Sequence, residues 1–150
     1  MTIRSKLVAC LLLWFTAHAV ADAPDTLETA AAEMHTKVFA ASGMLRKCAE
    51  AAPKSSAVFH ADMASWQRRD AKAIQRAEEI WRDMEATVPQ TAEERVQDAL
   101  EFDRLWATVT DVPGGNAAAV IEQRCTRYFF ALANGVWRTR RPEIYRLLER

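Results

Sequence analysis

The stretch "LETAAAEMHTKVFAASGMLRKCAEAA", residues 27–52, decides the fold. Its apolar positions Leu27, Ala31, Met34, Val38, Ala41, Leu45, Cys48 and Ala52 recur at alternating spacings of four and three. That period puts them all on one helical stripe, a seam suited to packing against near-parallel helices.

Five prolines, Pro24, Pro53, Pro89, Pro113 and Pro142, punctuate the chain, and the stretches between them are rich in Ala, Glu, Arg, Leu and Met. Those are good helix formers, whereas proline is expelled from helix interiors. Alternating β-branched runs, the strand signature, do not occur. The spacing predicts helices near 25–51, 55–87, 92–110 and 116–140, with a short one after Pro142. The second carries Phe59, Met63, Trp66, Ala73, Ala77, Ile80 and Met84 inward, with Asp70 interrupting the seam. The third opens on "TAEE", where Thr91 and Glu94 can form a capping box. "VPGGN" then stops the chain, and Asn116 can cap a fourth helix with Ile121, Cys125, Tyr128 and Leu132 inward. The expected fold is all-α: an antiparallel up-down-up-down four-helix bundle with a short C-terminal helix, one domain over 22–150.

Upstream, "MTIRSK" carries Arg4 and Lys6, an apolar run spans Leu7 to Phe15, and "TAHAVADAPD" follows. This is the basic, apolar, small-residue order of a secretory signal. The run is far below the ~20 residues that span a bilayer. "LVAC" matches a lipidation tetrapeptide at Cys10, but a lipidated cysteine follows the hydrophobic region, and Cys10 lies inside it. Residues 1–21 therefore read as a signal peptide cleaved after Ala21, with cleavage after Ala19 as the alternative. The expected product is soluble, unlipidated, and periplasmic or secreted.

Losing Cys10 leaves Cys48 and Cys125, and in an exported chain such a pair reads as a disulfide. Two buried free thiols are the alternative. In the bundle the two cysteines lie ~6 and ~14 Å below the shared pole, a mismatch that loop and helix-end adjustments absorb. Closing so long a loop is worth about 4 kcal/mol on chain-entropy grounds.

The chain has 20 basic and 20 acidic residues, a balance that gives no support to general nucleic-acid binding. Neither C-x-x-C-H nor E-x-x-H occurs, the signatures of covalent haem and di-iron bundles. His35 and His60 differ in height by ~16 Å along the bundle and cannot share a metal. His60 and Met63 stand one turn apart, a weak copper pair that reads better as a boundary histidine beside a core methionine. No cofactor is expected. Nor is there a G-x-S-x-G stretch, and the carboxylates of helix two serve a solvated face as well as a catalytic one. The expected protein is not an enzyme.

Charge is segregated. Residues 78–103 hold Glu78, Glu79, Asp83, Glu85, Glu93, Glu94, Asp98, Glu101 and Asp103 against Arg82 and Arg95. Residues 137–150, "WRTRRPEIYRLLER", hold five arginines against Glu143 and Glu149. The bundle brings both groups to one pole, where they pair internally. A sharper reading makes Arg138, Arg140, Arg141, Glu78, Glu79 and Asp83 partner-binding residues. Trp66, Trp81, Trp106 and Trp137 fill the core, since aromatics carry much buried area. In "WQRRD", residues 66–70, Asp70 faces inward and must be paired. Arg124, Arg127 or the Tyr128 hydroxyl are the expected partners.

"CAEAAP", then W-x-x-R-x-D, then a second cysteine on the last helix resembles a loose group of small exported helical proteins of Gram-negative bacteria. In that group the position of Asp70 is usually Asn. The resemblance covers roughly residues 45–75 plus Cys125, and implies compartment and fold without a function.

The function expected from these readings is an exported, non-catalytic protein-binding module, such as an inhibitor or immunity protein of the cell envelope. Another protein is the expected partner, and a homodimer stays open. The alternative is a ligand- or metal-binding envelope-stress protein; a small helical enzyme is more remote. A concave acidic patch favours the first, and an apolar pocket near His60 the second.

Overall fold

The computed structural model describes residues 24–112 and 116–150, apart from the side chains of Gln97 and Glu101. The signal segment 1–21, with Cys10 and the cleavage positions, lies outside the described residues, as does most of the "VPGGN" stop. The described residues are helical and contain no strand. The elements are α1 (Leu27–Ala51), a 3-10 turn (Pro53–Ser55), α2 (Ser56–Arg69), α3 (Ala71–Thr87), α4 (Ala92–Thr110), α5 (Ala117–Ala133), α6 (Val136–Arg140) and α7 (Pro142–Leu148). No described helix is long and apolar enough to cross a membrane.

Helix α1 is the central member. It packs most extensively on α3, and also on α2, α5 and α7, while α2 lies on α5. Its N-terminus is closed by a capping box between Thr26 and Thr29. Ala31, Met34, Ala41, Cys48 and Ala52 of the seam are buried, joined by Ala30 and Met44. The predicted second helix is two. The backbone turns aside at Asp70 (φ −101°, ψ 15°), although its amide still bonds the Trp66 carbonyl at 2.9 Å. Phe59, Met63, Trp66, Ala73 and Ala77 keep facing the core through the bend.

The predicted fourth helix is also divided. Gly135 takes a left-handed conformation (φ +72°), open to glycine at little steric cost, and separates α5 from α6. On α5, Phe129 is fully buried and Tyr128 beside it is only half-buried. Phe129 stacks on Phe59 with ring centroids 5.5 Å apart, joining α5 to α2. Cys48 and Cys125 form a disulfide with Cα atoms 5.8 Å apart, fixing α1 to α5. The capping box of Thr91 and Glu94 forms at 2.7 and 3.2 Å. Asn116 stands at the start of α5, but its side chain caps nothing.

Helix α4 is held mainly towards its C-terminal end. Val109 is its one buried side chain among those described. Phe102 lies directly over Gly43 of α1, where a Cβ would come within 2.5 Å of the ring. Arg124 of α5 donates to the carbonyls of Thr108, Val109 and Asp111 at 2.8–3.2 Å. The Thr108 and Val109 carbonyls are orphan acceptors of the last turn and Asp111 is the residue after it, and a cation suits that end of the helix dipole. Towards the N-terminus, Val96 and Leu100 are exposed. A space opens there between α4 and the α1–α3 pair.

Candidate functional site

Asp70 is wholly buried. Arg69 grips it with Nε at 2.9 Å from Oδ1 and Nη2 at 3.0 Å from Oδ2. Tyr145 donates its hydroxyl to Oδ2 at 2.7 Å, and Arg138 Nε approaches Oδ1 at 3.3 Å. Arg69 also donates to the carbonyls of Leu132 and Ala133 at the end of α5. Burial by itself raises the Asp70 pKa, but the hydrogen bonds and charges of Arg69, Tyr145 and Arg138 outweigh it and hold the carboxyl below its ordinary value. These partners replace the expected Arg124, Arg127 and Tyr128. The chain reverses at Gly135, so α6 and α7 fold back onto the bend and reach Asp70 before α5 can. The cluster ties four helices together, and every member is engaged. It is a structural lock without a free group for chemistry.

Two of the five C-terminal arginines, Arg138 and Arg141, are occupied in the same way. Besides Asp70, Arg138 grips Glu149 through both terminal nitrogens, at 3.1 and 2.5 Å, and its guanidinium lies 3.9 Å over the Tyr145 ring. Arg141 donates to Glu33 at 2.6 Å and lies 2.8 Å from a Glu143 oxygen without hydrogen-bond alignment. Arg140 is exposed and makes no ion pair among the described residues. Among the described residues, no ion pair joins this cluster to the 78–103 acids. The reversal at Gly135 turns Arg138 and Arg141 towards Asp70, Glu149 and Glu33, while Arg150 lines a space with Glu79 without an ion pair to it.

The acidic band is thereby left facing solvent. Glu78 meets His35 Nδ1 at 3.1 Å, and Glu79 meets Arg76 at 3.5 Å. Asp83, Glu85, Glu93 and Asp103 are exposed and have no cationic partner among the described residues. Asp83, Glu85 and Glu93 rim a cleft of about 980 Å³, together with Glu28, Glu94 and Asp98. Its apolar lining comes from Leu27, Ile80, Trp81, Met84 and Val88. A second groove of about 530 Å³ runs between α1 and α4, walled by His35, Phe39, Phe102 and Leu105. The two spaces meet at Trp81, Gln90 and Asp98, which line both. Trp81 is held there by His35, stacked on it with centroids 4.4 Å apart.

Of the residues singled out in the sequence, the structure brings Asp70 and Arg138 together, and Asp83 to the cleft. Glu78 and Glu79 do not line the cleft: Glu78 pairs with His35 of α1, and Glu79 with Arg76 one turn away. Asp83 and Glu93 could be found from charge alone. Tyr145, Trp81 and Glu28 could not, because their roles come from where distant helices cross, whereas Arg69 stands next to Asp70 in sequence. Trp81 is half-buried between two cavities, while Trp66 fills the core as expected.

His60 is exposed on α2 and lines neither space, while Met63 is buried, so the two do not face a common site. Among the described residues no group of three or more His, Cys, Asp or Glu side chains could hold a metal ion. Lys37 is half-buried, with Nζ 3.4 Å from the Tyr128 hydroxyl and 4.8 Å from that ring's centroid. It has no carboxylate partner among the described residues, and burial lowers its pKa to about 8.

Fold and site together define a helical, disulfide-linked protein with an acid-rimmed apolar cleft. The chain matches no family model, no curated protein and no solved structure.

Proposed function

We propose that this protein is an exported, non-catalytic binding module of the cell envelope that captures a cationic surface of another protein. An inhibitor or immunity protein acts in this manner. The carrying observation is the cleft of about 980 Å³, where six acids face a single lining cation, Arg76, itself paired with Glu79 outside the cleft. Acids at an exposed rim steer and select a partner of opposite charge. The apolar floor of Ile80, Trp81 and Met84 supplies burial at the centre, where binding energy concentrates. Export is supported by the Cys48–Cys125 disulfide, since such bonds persist in oxidising compartments. In this reading the helices form an antiparallel four-helix bundle, with α2 and α3 as one bent member beside α1, α4 and α5.

The test is photocrosslinking in intact cells, from a probe at Val88 in the cleft and from a control probe at Val58, exposed on α2. A discrete adduct from position 88 alone, lost in Asp83→Lys/Glu93→Lys, is the expected result. Equal adducts from both positions, or an adduct indifferent to the charge reversal, would overturn the reading.

A further inference from the structure

We infer that the partner's contacting segment is an amphipathic cationic helix, its apolar face in the α1–α4 groove and its Lys or Arg residues over the acidic cleft. This rests on the binding-module reading above and adds the chemistry of the occupant. The two spaces share Trp81, Gln90 and Asp98 in their linings but differ in charge, six acids against Arg76 in the cleft and Asp98 against Arg95 in the groove. The groove's apolar surface comes from Phe39, 53% exposed at its edge, and from Phe102 and Leu105 in its wall. Arg95 is its only cation among the described lining residues, and it is turned to the Gln90 carbonyl at 2.7 Å. Next to it the cleft presents Asp83, Glu85 and Glu93 without cationic partners among the described residues, its one arginine, Arg76, being paired with Glu79. A single segment filling both must carry an apolar face beside a basic stretch. A helix laid between two helices is the form that buries such a face, through anchors spaced by turns.

The complementarity is specific in sign. An acidic segment would meet like charge, and a purely polar cation would leave the groove unfilled. Burying one large apolar anchor is worth about 1.5–3 kcal/mol, roughly tenfold to a hundredfold in affinity. Exposed charge pairs add less each and are screened by salt. The apolar pattern therefore governs affinity, and the acids govern sign and salt dependence.

Calorimetry on the exported protein tests this with four probes. These are a Leu/Lys peptide patterned as an amphipathic helix, the same composition scrambled, a Leu/Glu counterpart and spermine. The patterned cationic peptide should bind at least ~tenfold more tightly than the scrambled one, and the Leu/Glu peptide should not bind. Phe39→Ser, at an exposed position that leaves the fold intact, should weaken binding by about tenfold. Asp83→Asn/Glu93→Gln should weaken it and flatten its salt dependence. Equal binding of the scrambled peptide or spermine, or indifference to Phe39→Ser, would overturn the inference. So would a dimer in solution that Phe39→Ser dissociates, because the occupant would then be a second copy. An adduct at position 88 without peptide binding removes this inference alone. Peptide binding without an adduct removes the protein-capture reading alone.

Discussion

Taking a carboxylate out of water costs several kcal/mol unless its charge and lone pairs are met, and Asp70 is met by two guanidinium groups and a phenol. Asp70→Ala strands the Tyr145 hydroxyl, while Arg69 and Arg138, about one-third exposed, can turn to water. A loss near the lower end of the buried-pair range follows, about 3 kcal/mol by denaturant titration. Because the folded pKa is depressed below 3.8, this stabilisation is full above that value and is lost as pH falls through the folded pKa. Asp70→Asn should flatten that acid limb, and an unchanged limb would exclude the lock from acid unfolding. Lys37 has the opposite sense. Its pKa falls from 10.5 to about 8, so the unfolded chain binds the extra proton between those values and stability rises across that window. Lys37→Met should abolish the rise. At pH 7 it should stabilise the fold by roughly 1–2 kcal/mol, after loss of the ring contacts. A variant that melts lower at pH 7 would show that those contacts outweigh the burial.

Helix α4 illustrates what a sequence can and cannot specify about an element. Its bounds, 92–110, and its capping box were legible because both are local. Its docking was not, since Gly43 lies off the seam and gains a role only from Phe102 packed above it. The same holds for the second and fourth helices. Their stripes were legible from the 3.6-residue period, but the bend at Asp70 depends on Arg138 and Tyr145, both far along the chain. The break at Gly135 had a local signal in "NG", a common turn pair. Gly43→Ala sets two effects against each other. Alanine gains about 1 kcal/mol in helix propensity, while its methyl would stand 2.5 Å from Phe102 Cε2, an overpacking worth about 1–3 kcal/mol. Overpacking should win, with the damage confined to α4. Hydrogen exchange should quicken in residues 102–110 while α1 stays protected. A raised melting temperature with α4 unchanged would mean that Phe102 rotates aside at little cost.

Across the whole molecule, the disulfide was the long-range contact most open to sequence reading, because two cysteines allow one connectivity. Charge pairing was far less legible, since fifteen arginines and twenty acids allow many pairings and the chain reversal at Gly135 selects among them. The bridge also shapes the energetics of the cleft. It spans 77 positions of sequence and encloses α2, α3 and α4, so the unfolded loop it constrains contains most of the binding surface. Constraining that loop is worth about 4 kcal/mol in chain entropy. Cys48→Ala/Cys125→Ala should lower stability by about 2–5 kcal/mol with helix content retained. Reduced wild-type protein separates the causes, because it loses the bridge while keeping both sulfurs in the buried seam. If chain entropy dominates, reduced and double-alanine proteins fall by nearly the same amount in a denaturant titration. If the sulfurs matter chiefly as packing, the reduced protein stays close to the oxidised one and only the alanine variant drops. Two free thiols per chain in native protein unfolded without reductant would remove the bridge from either account.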